Sequence, residues 1–228
     1  MPTTTYRSTI TADGYLRWSG ASWTPDDGTS NSATSALAVF YDLNGGNYMI
    51  DQSYFGFDLT SPTSGDAIPS GATIDATTVN LYLYEHGSVA RTVDIYAFDW
   101  GASVDGTDWR TISQLQGLYD SGDGLVASYN IPSGWGGAEG SHDFTEGNGA
   151  AAAVGAAIGG TLRLIMCIAA YRANTPPTAR GYAGFRDASY ATESQRPLLT
   201  VEWTAGGGVT AAYSGRGIGR GIVRGIMR

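Results

Sequence analysis

Hydrophobic and polar residues alternate most clearly over residues 74–84. Within this segment Val79, Leu81 and Leu83 occupy every second position, and polar or tyrosine side chains stand between them. Because successive side chains of a strand point to opposite faces, these three residues are expected on one buried face of a β-strand. Residues 92–98 repeat the pattern and predict a second strand of the same kind.

Further segments rich in strand-forming residues follow at short intervals, separated by turn signals. The expected strands are 12–18, 37–41, 48–50, 54–59, 74–84, 92–98, 125–131, 141–144, 161–169, 180–185 and 198–203. An alanine-rich stretch, 149–158, stops at two glycines and predicts one short helix, and residues 112–118 are a weaker helical segment. This pattern predicts an all-β fold, a jelly-roll β-sandwich of two antiparallel sheets with one short helix.

The chain has 228 residues, of which 42% are apolar, enough for one hydrophobic core. We expect residues 1–204 to form a single β-sandwich domain, residues 205–213 a glycine-rich linker, and residues 214–228 an extended C-terminal arm. Only 15% of residues are charged, and the chain contains arginine but no lysine.

The chain start and the apolar runs bear on localisation. No basic segment followed by an apolar one is visible in the first residues, and no apolar run approaches the roughly 18 residues of a membrane span. A domain of extracellular character without a visible export signal is expected to be a fragment, to be released by lysis, or to be carried on a virion.

The last fifteen residues contain a four-residue repeat that has no counterpart elsewhere in the chain. In an extended strand, one side would carry Arg216, Ile218, Arg220, Ile222, Arg224, Ile226 and Arg228, and the opposite side would be mostly glycine. The arm is positively charged, while the chain as a whole has a net charge of −8. We expect the arm to dock into a groove of another protein. A free tail is the alternative, and nucleic-acid binding is disfavoured because the repeat contains no aromatic residue.

Three loop tryptophans, Trp23, Trp109 and Trp135, are the candidate binding residues of the body. Their indole rings suit stacking on sugar rings, but tryptophan is equally typical of protein interfaces. Trp18 and Trp203 are instead expected in the core.

Catalytic and metal-binding patterns are weak. The two histidines, His86 and His142, are expected at the surface, and the single Cys167 lies in an apolar run that predicts a buried thiol. Asp120 and Asp123 are candidate oxygen ligands for a structural Ca²⁺, although the segment lacks an EF-hand loop and solvated turn aspartates are the alternative. No other metal site and no catalytic residue is predicted.

Several phrases of the sequence, taken in order, resemble the DNRLRE (disaggregatase-related repeat) domain. These are ADGYL at 12–16, YFGFDL at 54–59, IPSGATIDATTVNLYLY at 68–84, VDIYA at 93–97, DFT at 143–145, and residues 186–200 ending in RPLLT. The resemblance covers about residues 10–204. It implies a carbohydrate-binding-module-like β-sandwich used as a binding or scaffolding unit, and it does not imply catalysis. The arm lies outside the family pattern.

These observations predict a non-enzymatic virion structural protein, a capsid-decorating or tail-associated protein of a phage. It would lie on the virion surface and dock through its arm onto neighbouring copies or other virion proteins. The alternative is a carbohydrate-binding module of a surface or secreted protein, with glycans as partners and an extracellular location. A jelly-roll glycan lyase or hydrolase is a third hypothesis.

Overall fold

The computed structural model describes residues 1–9, 14–25, 29–31, 36–121, 124–133, 139–179 and 181–206. The strands are β1 (Thr3–Arg7), β2 (Gly14–Gly20), β3 (Thr29–Asn31), β4 (Ala36–Asn44), β5 (Asn47–Asp58), β6 (Thr73–His86), β7 (Arg91–Ala97), β8 (Leu125–Ile131), β9 (Gly140–Glu146), β10 (Thr161–Ile168), β11 (Tyr182–Arg186) and β12 (Leu198–Thr204). The helices are α1 (Ile112–Asp120), α2 (Ala150–Ala157) and α3 (Ala169–Arg172), with single 3-10 turns at Gly106–Asp108 and Glu193–Gln195.

Eight of these strands form a closed ring of antiparallel pairs. The order around the ring is β6, β11, β4, β5, β10, β7, β8 and β9, and β9 pairs again with β6. The fold is therefore a closed eight-stranded antiparallel β-barrel, and the predicted two-sheet jelly-roll sandwich is wrong. A sandwich leaves its two sheets with separate edges, whereas this ring pairs every edge of its members.

Strand β9 closes the ring because its two ends pair with different neighbours. Phe144 lies opposite Val79 of β6, while the next residue, Thr145, lies opposite Ser128 of β8. Such a change of partner within one strand depends on distant residues and leaves no local pattern in the sequence.

Four strands lie outside the ring and extend it at two places. Strand β12 pairs with β6, and β1 pairs in turn with β12. Strand β2 pairs with β5, and β3 pairs with β2. The short strands β1 and β3 were not predicted. The predicted strands 48–50 and 54–59 are one continuous strand, β5, because β2 and β10 pair along its length.

The predicted core residues of β6 are confirmed: Val79, Leu81 and Leu83 are buried. Trp18 and Trp203 are buried as expected, and so is Cys167. Burial also raises the pKa of the Cys167 thiol well above its ordinary value. The apolar positions of the alternating pattern on β6 therefore lie in the core, as predicted.

The prediction of one short helix is confirmed for α2 but is incomplete. Helix α2 begins after Gly149 and buries Val154 against the barrel. Helix α1 confirms the weaker helical segment 112–118, and α3, which was not predicted, packs against β7 and α1. Among the described residues, no helix is long and apolar enough to cross a lipid bilayer.

Candidate functional site

A groove of about 480 Å³ lies between α1 and the end of α3. Its volume falls within the range of small-ligand sites, about 300–1,000 Å³. The side chains that line it are hydroxyl, amide, guanidinium and small apolar groups, contributed by Pro25, Thr111, Ile112, Ser113, Gln116, Arg172, Ala173 and Asn174.

Helix α1 begins at the groove because Thr111 caps it. The Thr111 Oγ1 accepts a hydrogen bond from the Gln114 main-chain N–H at 3.3 Å, and the Gln114 side chain accepts one from the Thr111 N–H at 2.9 Å. This capping box pairs two main-chain groups at the helix start, while other N–H groups of the first turn lack intrahelical partners. The Thr-x-x-Gln spacing was a signal for this start that is readable in the sequence.

The segment before α1 is fastened to the barrel by Gln52 of β5. The buried Gln52 amide donates a hydrogen bond to the Arg110 main-chain oxygen at 2.6 Å and accepts one from the Arg110 N–H at 2.9 Å. The Tyr54 hydroxyl donates to the Asp108 main-chain oxygen at 3.0 Å. These bonds fix the position of the groove wall relative to the barrel.

Tyr171 of α3 joins the three segments that surround the groove. It is fully buried, and its hydroxyl lies 3.1 Å from the Arg110 main-chain oxygen and 3.3 Å from the Pro25 main-chain oxygen. The ring centres of Trp23 and Trp109 lie 6.3 and 6.0 Å from that of Tyr171. The structure therefore brings two of the three candidate tryptophans together through a residue that the sequence analysis did not single out.

The two tryptophans have different environments. Trp109 is only 5% exposed, and its ring packs against that of Tyr171. Trp23 is half-buried, and its indole N–H donates a hydrogen bond to the Asn174 side-chain oxygen at 2.8 Å. Asn174 has a φ of 50°, the left-handed conformation that asparagine tolerates better than most residues. Trp135 lies outside the described residues.

Among the groove-lining residues that the structure describes, Arg172 is the one charged side chain. Its guanidinium lies 3.4 Å from the Asp94 carboxylate and 3.7 Å from the centre of the Tyr119 ring. Burial raises the pKa of Asp94, although a hydrogen bond from Tyr96 and the charge of Arg172 counteract this effect. Asp94 is 3% exposed, so a ligand in the groove meets the guanidinium and not the carboxylate.

The other predicted groups lie elsewhere. His86 is buried, with Nδ1 2.9 Å from the Gly87 main-chain oxygen, so its expected surface position is wrong. His142 lies 2.9 Å from the Tyr129 hydroxyl. The Asp120 carboxylate accepts a hydrogen bond from Gln116 at 2.6 Å. Within the part of the chain that the structure describes, no three His, Cys, Asp or Glu side chains cluster as metal ligands.

Two of the predicted features have no described structure. Asp123, the second candidate Ca²⁺ ligand, and the whole arm 214–228 fall outside the described residues. The Ca²⁺ site and the docking role of the arm therefore stay predictions.

Comparison with known proteins does not assign the chain to a family. The sequence matches no protein-family model and no curated protein. The resemblance to the DNRLRE domain thus stays a prediction, and the groove has to be interpreted from its own chemistry.

Proposed function

We propose that the protein is a non-catalytic binding domain whose groove between α1 and α3 holds an oligosaccharide. The observation that carries this proposal is the lining of the groove. Hydroxyl and amide groups from Thr111, Ser113, Gln116 and Asn174 alternate with apolar surface in a site of about 480 Å³. Sugars present the same mixture of hydroxyl groups and apolar ring faces.

The lining also argues for binding and against hydrolysis. Glycoside hydrolysis uses two carboxyl groups on opposite sides of the scissile bond. The groove-lining residues that the structure describes include no Asp, Glu, His or Cys. Two described carboxylates contact lining residues: Asp94 is buried and paired with Arg172, and Asp120 accepts a hydrogen bond from Gln116. The described part of the lining therefore offers donors and acceptors for hydrogen bonds, and it contains no pair of groups suited to general acid and base roles.

Trp23 contributes rigidity at the edge of the groove. Its ring makes edge-to-face contacts with Trp18, Tyr41 and Tyr48, and its N–H is bound to Asn174. Because ring packing and a hydrogen bond both restrain it, little side-chain entropy remains to be lost when a ligand binds. The groove is in this sense preorganised.

A glycan array followed by calorimetry tests the proposal. Oligosaccharides that bind on the array are titrated against the wild type and against Ser113→Trp, which places a large ring in the groove. We expect Ser113→Trp to weaken binding by at least about tenfold, the equivalent of about 1.4 kcal/mol. Ser61→Trp, at an exposed position outside the groove, is the matched control and should bind as the wild type does. Equal affinity of the two variants, or no binding of any glycan, would contradict the proposal.

The repeat of the arm favours a second role, attachment to a virion. Arginine recurs every fourth residue from 216 to 228 in a chain that is otherwise acidic, and isoleucine stands two residues after each of the first three arginines. This pattern suits a strand added to a neighbouring subunit. If a protein lacking residues 209–228 still assembled on its particle at normal occupancy, this role would be excluded. Both roles are compatible in one protein.

A further inference from the structure

Arg186, at the end of β11, is held against two tyrosine rings on the outside of the barrel. Its guanidinium carbon lies 4.2 Å from the ring centre of Tyr84 and 4.0 Å from that of Tyr190. Both distances are well within the range of cation–π contacts, about 6 Å. Stacking uses the faces of a guanidinium group and leaves its in-plane N–H groups available for hydrogen bonds.

The Tyr84 ring packs directly over the main chain of Gly184, which has no side chain. A Cβ atom on Gly184 would lie 2.7 Å from the Tyr84 Cζ atom, so only glycine lets this ring lie against β11. The ring thereby reaches Arg186, two residues further along the same strand.

The Tyr190 ring belongs to a loop that has its own internal bonds. The Asp187 carboxylate accepts hydrogen bonds from the Ser189 N–H at 3.0 Å and from the Ser189 hydroxyl at 2.9 Å. The main-chain oxygen of Tyr190 accepts a further bond from the Arg196 guanidinium at 2.8 Å. Both tyrosines that hold Arg186 are therefore positioned before any ligand arrives.

The Arg186 guanidinium has no hydrogen-bond or ion-pair partner among the described residues, and its Nε atom is buried without one. The Nε atoms of Arg163 and Arg172 are also buried without a partner, but each of these guanidinium groups pairs through another nitrogen with a carboxylate, Asp99 and Asp94 respectively. Buried N–H groups without a partner are rare in folded proteins and require an explanation. A guanidinium that is immobilised and unpaired suits recognition of an external anion.

The charged groups near Tyr84 and Arg186 favour one class of anion over another. Burial raises the pKa of Tyr84, the negative charges of Glu85 and Asp187 raise it further, and the positive charge of Arg186 lowers it. The carboxylates of Glu85 and Asp187 repel an incoming doubly charged group such as phosphate more strongly than a singly charged carboxylate. We propose that Arg186, Tyr84 and Tyr190 form a binding site for the carboxylate group of a ligand, separate from the groove between α1 and α3.

Nuclear magnetic resonance of the arginine Nε–H groups tests this site. The Arg186 signal is assigned by its loss in Arg186→Lys and followed during titration of the wild type with sodium acetate, with sodium chloride as the ionic control. We expect a saturable shift with acetate, none with chloride, and weaker binding of phosphate. The Arg17 signal should stay in place because its Nε–H already donates a hydrogen bond to Asp51.

Tyr190→Leu separates the aromatic contact from charge alone. Without the Tyr190 ring the guanidinium is no longer held in one orientation before acetate binds, so we expect acetate binding to weaken by about tenfold. The amide spectrum of the variant verifies that it is folded. The proposal is overturned if the acetate shift is linear, if chloride reproduces it, if phosphate binds more tightly, or if a folded Tyr190→Leu binds acetate as the wild type does.

Discussion

Asp51 of β5 is fully buried and accepts two hydrogen bonds from Arg17 of the neighbouring strand β2, at 2.6 and 2.7 Å. The two residues lie directly opposite each other in the β2–β5 register. The Arg17 guanidinium also lies 4.8 Å from the Phe40 ring centre. This pair joins β2 to the barrel. Because the Asp51 carboxylate is buried, the stability of the protein is expected to depend on pH.

The first prediction concerns pH. Burial raises the pKa of Asp51 to about 6, although Arg17 counteracts the effect. The folded state then binds a proton at Asp51 more tightly than the unfolded state does. The contribution of Asp51 to the free energy of unfolding therefore falls as pH rises from about 4 to 6. A difference of about two pKa units corresponds to about 3 kcal/mol of unfolding free energy. Urea denaturation at pH 4, 5, 6 and 7 should show this loss in the wild type and a smaller one in Asp51→Asn. Identical pH profiles would exclude this assignment.

The second prediction removes the other member of the pair. In Arg17→Met the Asp51 carboxylate keeps its burial and loses its counter-charge. Stability should decrease by about 3 kcal/mol at pH 8 and by less at pH 5, where protonation neutralises the carboxyl group. The double variant Arg17→Met/Asp51→Asn serves as the control and should be more stable at pH 8 than Arg17→Met. Equal losses at the two pH values would contradict the role given to the charge.

The third prediction concerns Asn174, whose side chain accepts the Trp23 indole N–H while its backbone is left-handed. Asn174→Ala loses the acceptor and retains the unfavourable φ, so we expect a loss of about 2 kcal/mol. Asn174→Gly also loses the acceptor but relieves the backbone, and should cost about 1 kcal/mol less. Chemical denaturation of the two variants measures the difference, and a more stable alanine variant would be inconsistent with it.

The fourth prediction compares two glycines. A Cβ at Gly117, within α1, meets no atom within 4 Å, so Gly117→Ala should stabilise the protein by about 0.5–1 kcal/mol through helix propensity. A Cβ at Gly147 would collide with the Leu125 main-chain oxygen, so Gly147→Ala should destabilise it by about 1–3 kcal/mol. The melting temperatures of the two variants should therefore move in opposite directions. If both melting temperatures rose, or both fell, the packing described for one of these two glycines would be contradicted.

The alternation of hydrophobic and polar residues predicted where the strands lie, but it did not predict which of their faces other elements cover. On β7 the alternation predicts Val93, Ile95 and Ala97 on the core side; Val93 and Ile95 are buried, and Ala97 is half-buried. The same alternation assigns Asp94 and Tyr96 to the outer face. Both outer residues are buried as well, because α3 covers this face and Arg172 reaches Asp94. Which face a distant helix covers cannot be read from the period of one strand.

The closed barrel and the groove escaped prediction for the same reason. Closure depends on the pairing of Thr145 with Ser128, and the groove depends on Tyr171 reaching the main chain of Arg110 and Pro25. These contacts join residues far apart in sequence. Trp23 and Trp109 were recognisable as loop aromatics, but their common neighbour was not. The cap at Thr111 could have been found, since its signal is local.

The binding role of the groove is tested most directly by mapping amide and indole N–H chemical shifts while an oligosaccharide selected on the glycan array is added. We predict saturable shifts of the Trp23 indole N–H and of the main-chain N–H groups of Ser113 and Asn174, with the signals of β1 and β12 unchanged. Shifts confined to surfaces away from α1 and α3, or no saturable shift with any oligosaccharide, would contradict the account.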